Sequence, residues 1–135
     1  MEIILAENHG FCYGVKRAVE MANEAADSDG KSYTLGPIIH NPQVVGRLES
    51  KGVSPIQEVA DIDEGTMIIR SHGVGPAIYE EAEEKGLNIL DATCPHVKKA
   101  QQDAKSVIED GMTLVILGEK NHPEVKSINL WANNK

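Results

Sequence analysis

Apolar residues fall along the chain in two alternating patterns. Ile3-Ile4-Leu5-Ala6, Tyr33-Thr34-Leu35, Thr66 to Arg70, Asn88-Ile89-Leu90 and Thr113 to Leu117 are short apolar runs that read as buried strands, the last being the strongest. Between them, apolar positions recur at helical spacing: Val15, Ala18, Val19, Ala22 and Ala25, then Val44, Val45 and Leu48. A third helix runs from about Pro76 to Lys85 with Pro at its first position, and a fourth starts at Pro95 and uses Val97, Ala100, Ala104, Val107 and Ile108. Gly30, Gly52, Gly86 and Gly111 stand where the left-handed residue that closes a helix is expected. Strands alternating with short helices imply parallel βαβ units, so the predicted class is α/β.

The same pattern suggests an organisation. Residues 1–94 read as one α/β lobe and 95–135 as the beginning of a second, incomplete one. Thr113–Leu117 and the helix before it need neighbours, and Asn129 to Lys135 starts as a helix and stops. The chain is expected to be part of a longer protein.

Composition narrows the possibilities. The 135 residues are about one ordinary domain, and 41% hydrophobic content with one Trp, three Tyr and one Phe predicts an aliphatic core. A formal net charge of −8 argues against nucleic acid or an anionic membrane as partner, although a few local donors can still hold a small anion. Met1 runs directly into a strand, without the basic and long apolar regions of a signal peptide, and no apolar stretch approaches the ~20 residues that span a bilayer. Two cysteines far apart in such a chain are expected to be thiols in a reducing, cytoplasmic setting.

Candidate chemistry gathers at strand exits, where parallel sheets bind ligands. The run at Leu5 leads to Gly10-Phe11-Cys12-Tyr13-Gly14-Val15, and Leu35 is followed by Gly36-Pro37-Ile38-Ile39-His40-Asn41-Pro42. Ile69 is followed by Arg70-Ser71-His72-Gly73-Val74, Leu90 by Asp91-Ala92-Thr93-Cys94-Pro95, and Leu117 by Gly118-Glu119-Lys120-Asn121-His122-Pro123-Glu124. Cys12 and Cys94 each precede a helix, where unpaired backbone N–H groups and the helix dipole favour a thiolate. Taken singly, each residue has a bland reading: a buried small thiol, a loop histidine, a capping carboxylate. His9 and His96 stay with that reading. Three exits each delivering a His beside a Gly or Pro turn weaken it for the others. Gly73-Val74-Gly75 lacks the rest of a dinucleotide fingerprint, and His122-Pro123-Glu124 lacks the P-C-x-x-C of a zinc deaminase. On ligand type alone, a zinc site of Cys12, Cys94 and two histidines remains open.

Taken in order and at their intervals, the motifs around Cys12, His40, His72, Cys94 and His122-Pro123-Glu124-Val125 resemble the 4-hydroxy-3-methylbut-2-enyl diphosphate reductase (LytB) family over nearly the whole chain. The family enzyme is longer, with three α/β lobes around an iron–sulfur cluster, and this chain resembles its first lobe and the start of the second. The resemblance implies a 4Fe-4S cluster held by three cysteines. Cys12 and Cys94 match the first two, and the third is expected beyond Lys135. It further implies that His40 and His72 bind the substrate diphosphate, that His122 assists substrate binding or the proton path, and that Glu124 delivers the proton. The reaction implied is reductive loss of the substrate hydroxyl as water, giving isopentenyl and dimethylallyl diphosphate, with ferredoxin or flavodoxin as the class of electron donor and no nucleic-acid or membrane partner. The family has small glycine-containing positions after Val125, where Ser127 and Leu130 stand here; if those glycines serve close backbone approach or an unusual φ, Ser and Leu are expected to interfere, and the sequence leaves their effect open. The chain alone is expected to be inactive. Two alternatives are a non-catalytic diphosphate- or metal-binding module and a Cys/His zinc protein.

Overall fold

A computed structural model describes residues 1–133, with Asn133 described by its backbone. Helix α1 (Tyr13–Ala26) leads to strand β1 (Ser32–Leu35), followed by α2 (Pro42–Ser50), β2 (Val53–Ile56) and a 3-10 turn at Val59–Asp61. Then come β3 (Thr66–Ile69), α3 (Pro76–Glu84), β4 (Asn88–Asp91), α4 (Pro95–Glu109) and α5 (Pro123–Asn133). The strands form one parallel sheet in the order β2-β1-β3-β4, so the α/β expectation holds.

Burial on both faces explains why the strands are apolar runs rather than alternating ones. In β3, Ile68 points to one face and joins Ala18, Val19, Ala22, Val44 and Leu48 from α1 and α2. Met67 and Ile69 point to the other face and join Val59, Ile62, Val74 and Ala82 beneath α3. All three β3 residues are 0% exposed. Alanine at the contact positions of α1 lets that helix lie close against the sheet, with Ala18 and Ala22 at 0% exposure.

Two predicted strands do not form. Ile3-Ile4-Leu5-Ala6 and Thr113–Leu117 lie outside the sheet, and Ile3, Ile4, Leu5, Val115 and Leu117 are exposed by 75%, 82%, 75%, 75% and 94%. An apolar, β-branched run becomes a strand only where a neighbour accepts its backbone hydrogen bonds, and among the described residues neither segment has one. In the other direction, β2 was not foreseen. Its Pro55 masks the Val53–Ile56 pattern, and β2 is an edge strand, where proline is tolerated. The 3-10 turn after it was missed as well. Asp61 holds it by accepting the N–H of Gln57 and of Glu58, both at 3.0 Å.

Helix ends were better signposted. Gly52, Gly86 and Gly111 directly follow the caps of α2, α3 and α4 with φ of +93°, +70° and +73°. Gly30 differs: α1 is capped at Asp27, and Gly30 serves the loop beyond. The helical start read at Asn129 belongs to the longer α5, while Asn134 and Lys135 lie outside the described residues.

Candidate functional site

The order β2-β1-β3-β4 places the topological switch between β1, whose chain crosses to β2, and β3, whose chain crosses to β4. The crevice at the carboxyl ends of those two strands is where such a sheet binds ligands. The loop after β1 is anchored by Ile38 and Ile39, 1% and 3% exposed, and ends where Asn41 Oδ1 accepts the Val44 N–H at 3.1 Å to cap α2. His40 thereby stands exposed at the crevice mouth. The loop after β3 is tied to the first: Ser71 Oγ donates to the Ile38 carbonyl at 3.3 Å. Gly73 then turns the chain with φ +71°, and a Cβ there would collide with the Gln101 amide and lie 3.0 Å from Thr93 Cγ2. His72, held in this turn, is 8% exposed.

His122 arrives from the loop before α5. The ring centroids of His40 and His72 are 4.6 Å apart, those of His72 and His122 5.9 Å, and those of His40 and His122 6.4 Å. The three predicted histidines thus meet at one point. His72 Nδ1 is buried without a hydrogen-bond partner. Burial first, then the neighbouring His40, Arg70 and His122, pushes its pKa down to about 4. The Glu124 N–H donates to His122 Nδ1 at 3.3 Å, so neutral His122 carries its proton on Nε2. Glu124 itself is half-buried in the first turn of α5.

Helix α5 is fastened to the His72 loop. The Ser127 hydroxyl donates to the His72 carbonyl at 3.0 Å and accepts from Gln101 Nε2 at 2.9 Å, while Trp131 Nε1 donates to the Val74 carbonyl at 2.8 Å. Ser127 is 2% exposed. Leu130 packs on Gly75, where a Cβ would lie 2.8 Å from that of Leu130. The interference expected of Ser127 and Leu130 does not arise: the hydroxyl is satisfied on both sides, and Gly75 provides the room for Leu130.

The cysteines sit at the N-caps of two helices, as their sequence position implied. Cys12 caps α1 and is exposed; Cys94 caps α4 and is half-buried; both are free thiols. Cys94 Sγ rests against Gly14, where a Cβ would collide with it, so a side chain at position 14 would drive α1 away from the thiol. The Cys94 N–H donates to the Ser71 carbonyl at 2.9 Å, coupling the thiol loop to the histidine loop. Asp91 accepts from the Thr93 N–H at 3.0 Å, from the Tyr79 hydroxyl at 3.1 Å and from Lys98, while Arg17 donates to the Thr93 carbonyl at 3.2 Å. Burial pushes the Asp91 carboxyl up, but Lys98 and Thr93 outweigh it and hold the group below the usual carboxylate range. Among the described residues no group of three or more His, Cys, Asp or Glu is placed to share a metal ion. The four-ligand zinc arrangement is therefore not assembled here. Two thiols at helix N-termini, one with a glycine cleared in front of it, do fit as partial ligands of an iron–sulfur cluster. Arg17, Asp91, Gln101 and Trp131 were not singled out from sequence, because their roles depend on partners far along the chain. His9 donates to the Ala6 carbonyl at 2.8 Å and His96 is exposed, so both remain loop and surface residues.

The sequence profile of the LytB protein family matches residues 3–135. The chain belongs to the LytB family. Among curated relatives, the 4-hydroxy-3-methylbut-2-enyl diphosphate reductase of Geotalea uraniireducens is 54% identical over 135 residues, which are 100% of this chain and 48% of the relative. That of Geobacter metallireducens is 53% identical with the same coverage. A solved (E)-4-hydroxy-3-methyl-but-2-enyl diphosphate reductase, described as the terminal enzyme of the non-mevalonate pathway, matches with a TM-score of 0.83 at 50% identity, over 96% of this chain and 46% of that one. The E-1-hydroxy-2-methyl-but-2-enyl-4-diphosphate reductase of Plasmodium falciparum matches with a TM-score of 0.90 at 33% identity, over 95% and 41%. This LytB chain spans about half the length of the curated relatives it matches.

Proposed function

We propose that this chain anchors the substrate diphosphate and donates a proton in a 4-hydroxy-3-methylbut-2-enyl diphosphate reductase, and that Cys12 and Cys94 are two of the thiolates holding its 4Fe-4S cluster. The observation that carries this reading is the meeting of three imidazoles from three separate segments at the switch point, with Glu124 hydrogen-bonded through its backbone to one of them. When bound, the cluster supplies electrons and a Lewis-acidic iron.

The chain's own residues bind and position. A diphosphate between His40 and His72 offers an acceptor for the unpartnered Nδ1 of His72, and its negative charge opposes the burial that depresses the pKa of that imidazole. His122, with Nδ1 occupied, presents Nε2–H to the same anion. The Glu124 carboxyl, at the start of α5 beside His122, is placed to deliver one of the two protons the reaction consumes, one leaving with the hydroxyl as water and one going to carbon, while the two electrons would come through the cluster. The electron donor belongs to the ferredoxin or flavodoxin class, the compartment is the cytoplasm, and the lobe boundary lies near 94. No described helix is long and apolar enough to cross a membrane.

The test is Glu124→Gln in the longer enzyme that carries this chain. Turnover is expected to fall by about two orders of magnitude or more while cluster absorbance is unchanged. Near-normal turnover would refute the proton-donor role.

A further inference from the structure

A second cavity, of about 320 Å³, opens at the same sheet edge behind the histidine loop, and none of the three histidines lines it. Its floor is Arg70, the first residue after β3, whose guanidinium crosses beneath the β1 exit: a Cβ on Gly36 would lie 2.9 Å from Arg70 Nη1. Arg70 is half-buried and its Nε is buried without a partner. Among the described residues its side chain takes part in no hydrogen bond and no ion pair. This distinguishes it from Arg17, which bonds two carbonyls. Burial lowers its pKa, yet a guanidinium keeps its charge in a protein. That buried Nε–H without an acceptor is a cost to the fold that an anion in the cavity would relieve.

The cavity supplies a setting for that anion. Lys126, from α5, also lines it, as does Gln57 at the exit of β2. Gly75, the N-cap of α3, also lines the cavity, and no side chain caps that helix, so its positive end adds to the field. The remaining walls are apolar, chiefly Leu35, Val74, Ile78 and Leu130. The volume falls within the range of small-ligand pockets.

We propose that this cavity is a second anion site, next to the histidine cluster but built from other side chains, which takes a phosphate monoester on a short apolar chain, with Arg70 and Lys126 on the phosphate and the chain against Leu35, Val74, Ile78 and Leu130. Two cations and a helix N-terminus match a dianion better than a singly charged carboxylate. The proposal does not depend on the reductase reading.

Butyl phosphate, inorganic phosphate and butyrate, each titrated into the full chain at about pH 8.5, where the phosphates are dianions, provide the test. Butyl phosphate is expected to saturate one site, more tightly than either comparator, and equally in a His40→Ala/His122→Ala variant. Arg70→Met should weaken it by about tenfold or more, and Lys126→Met by a smaller factor. No saturable binding to the native chain, or native-like binding by Arg70→Met, would overturn the proposal. Butyrate binding as tightly as butyl phosphate would overturn the phosphate assignment. Lys126 is exposed, so Lys126→Met decides the two-cation claim even if Arg70→Met fails to fold: unchanged affinity refutes it. Pyrophosphate binding near pH 6.5 that is lost with the histidines and kept in Arg70→Met separates this site from the cluster.

Discussion

His72 is held in a state that works against the fold in acid. It is 8% exposed, has an unpartnered Nδ1, and its pKa is depressed to about 4 by burial first and then by the neighbouring His40, Arg70 and His122. Between about pH 6.5 and pH 4 the unfolded chain binds a proton at this residue that the folded chain does not, so the residue's contribution to stability falls as pH falls through that window and is constant above it. The slope is expected to amount to ~2–3 kcal/mol across the window. Urea unfolding of the native chain and of His72→Gln at several pH values isolates it, because the carboxylates titrate alike in both. Parallel pH dependences would show that His72 is not depressed. Under the proposed function, a bound anion supplies the missing partner of Nδ1 and relieves this cost.

At the scale of elements, the site depends on the clamp between α5 and the His72 loop. Ser127 bridges Gln101, 2% exposed, and the His72 carbonyl, while Trp131 reaches the Val74 carbonyl. Removing the hydroxyl leaves a buried amide and a buried carbonyl without their partner, which costs about 1–3 kcal/mol. Ser127→Ala is expected to lower stability by that amount in denaturant unfolding and to broaden the His122 ring signals in NMR. A loss below about 0.5 kcal/mol would show that the bridge is incidental. This clamp was not legible in the sequence, where Ser127 stood out only as an occupant of a position expected to be small. Hydrogen bonds between positions 26 and 55 residues apart leave no local pattern. Strands show the converse. Ile3–Ala6 and Thr113–Leu117 carry a strong strand pattern and are not strands, because pairing is a property of a neighbour. β2 forms with Pro55 inside it because an edge strand has one side to spare.

For the whole molecule, the meeting of His40 and His72 was readable because parallel topology makes strand exits converge, whereas His122 joins them from the loop before α5, after a segment that forms no strand. Once β1 and β3 are neighbours, residues just past Leu35 and Ile69 must share an edge. Cys12 and Cys94 were readable as helix starts, and the structure adds that Gly14 clears space for Cys94. Arg70 stood in the sequence with no assigned role, since an unpaired guanidinium is recognised only from what surrounds it. Across a chain of net charge −8, cationic and imidazole groups concentrated at one sheet edge are the electrostatic exception on which the functional reading rests. The most direct test is titration of the chain with inorganic pyrophosphate, in the native form and as His40→Ala/His122→Ala. Binding should saturate in the native chain and weaken by at least about tenfold in the variant. Equal affinity in both proteins would contradict the assignment of the three histidines as the diphosphate anchor.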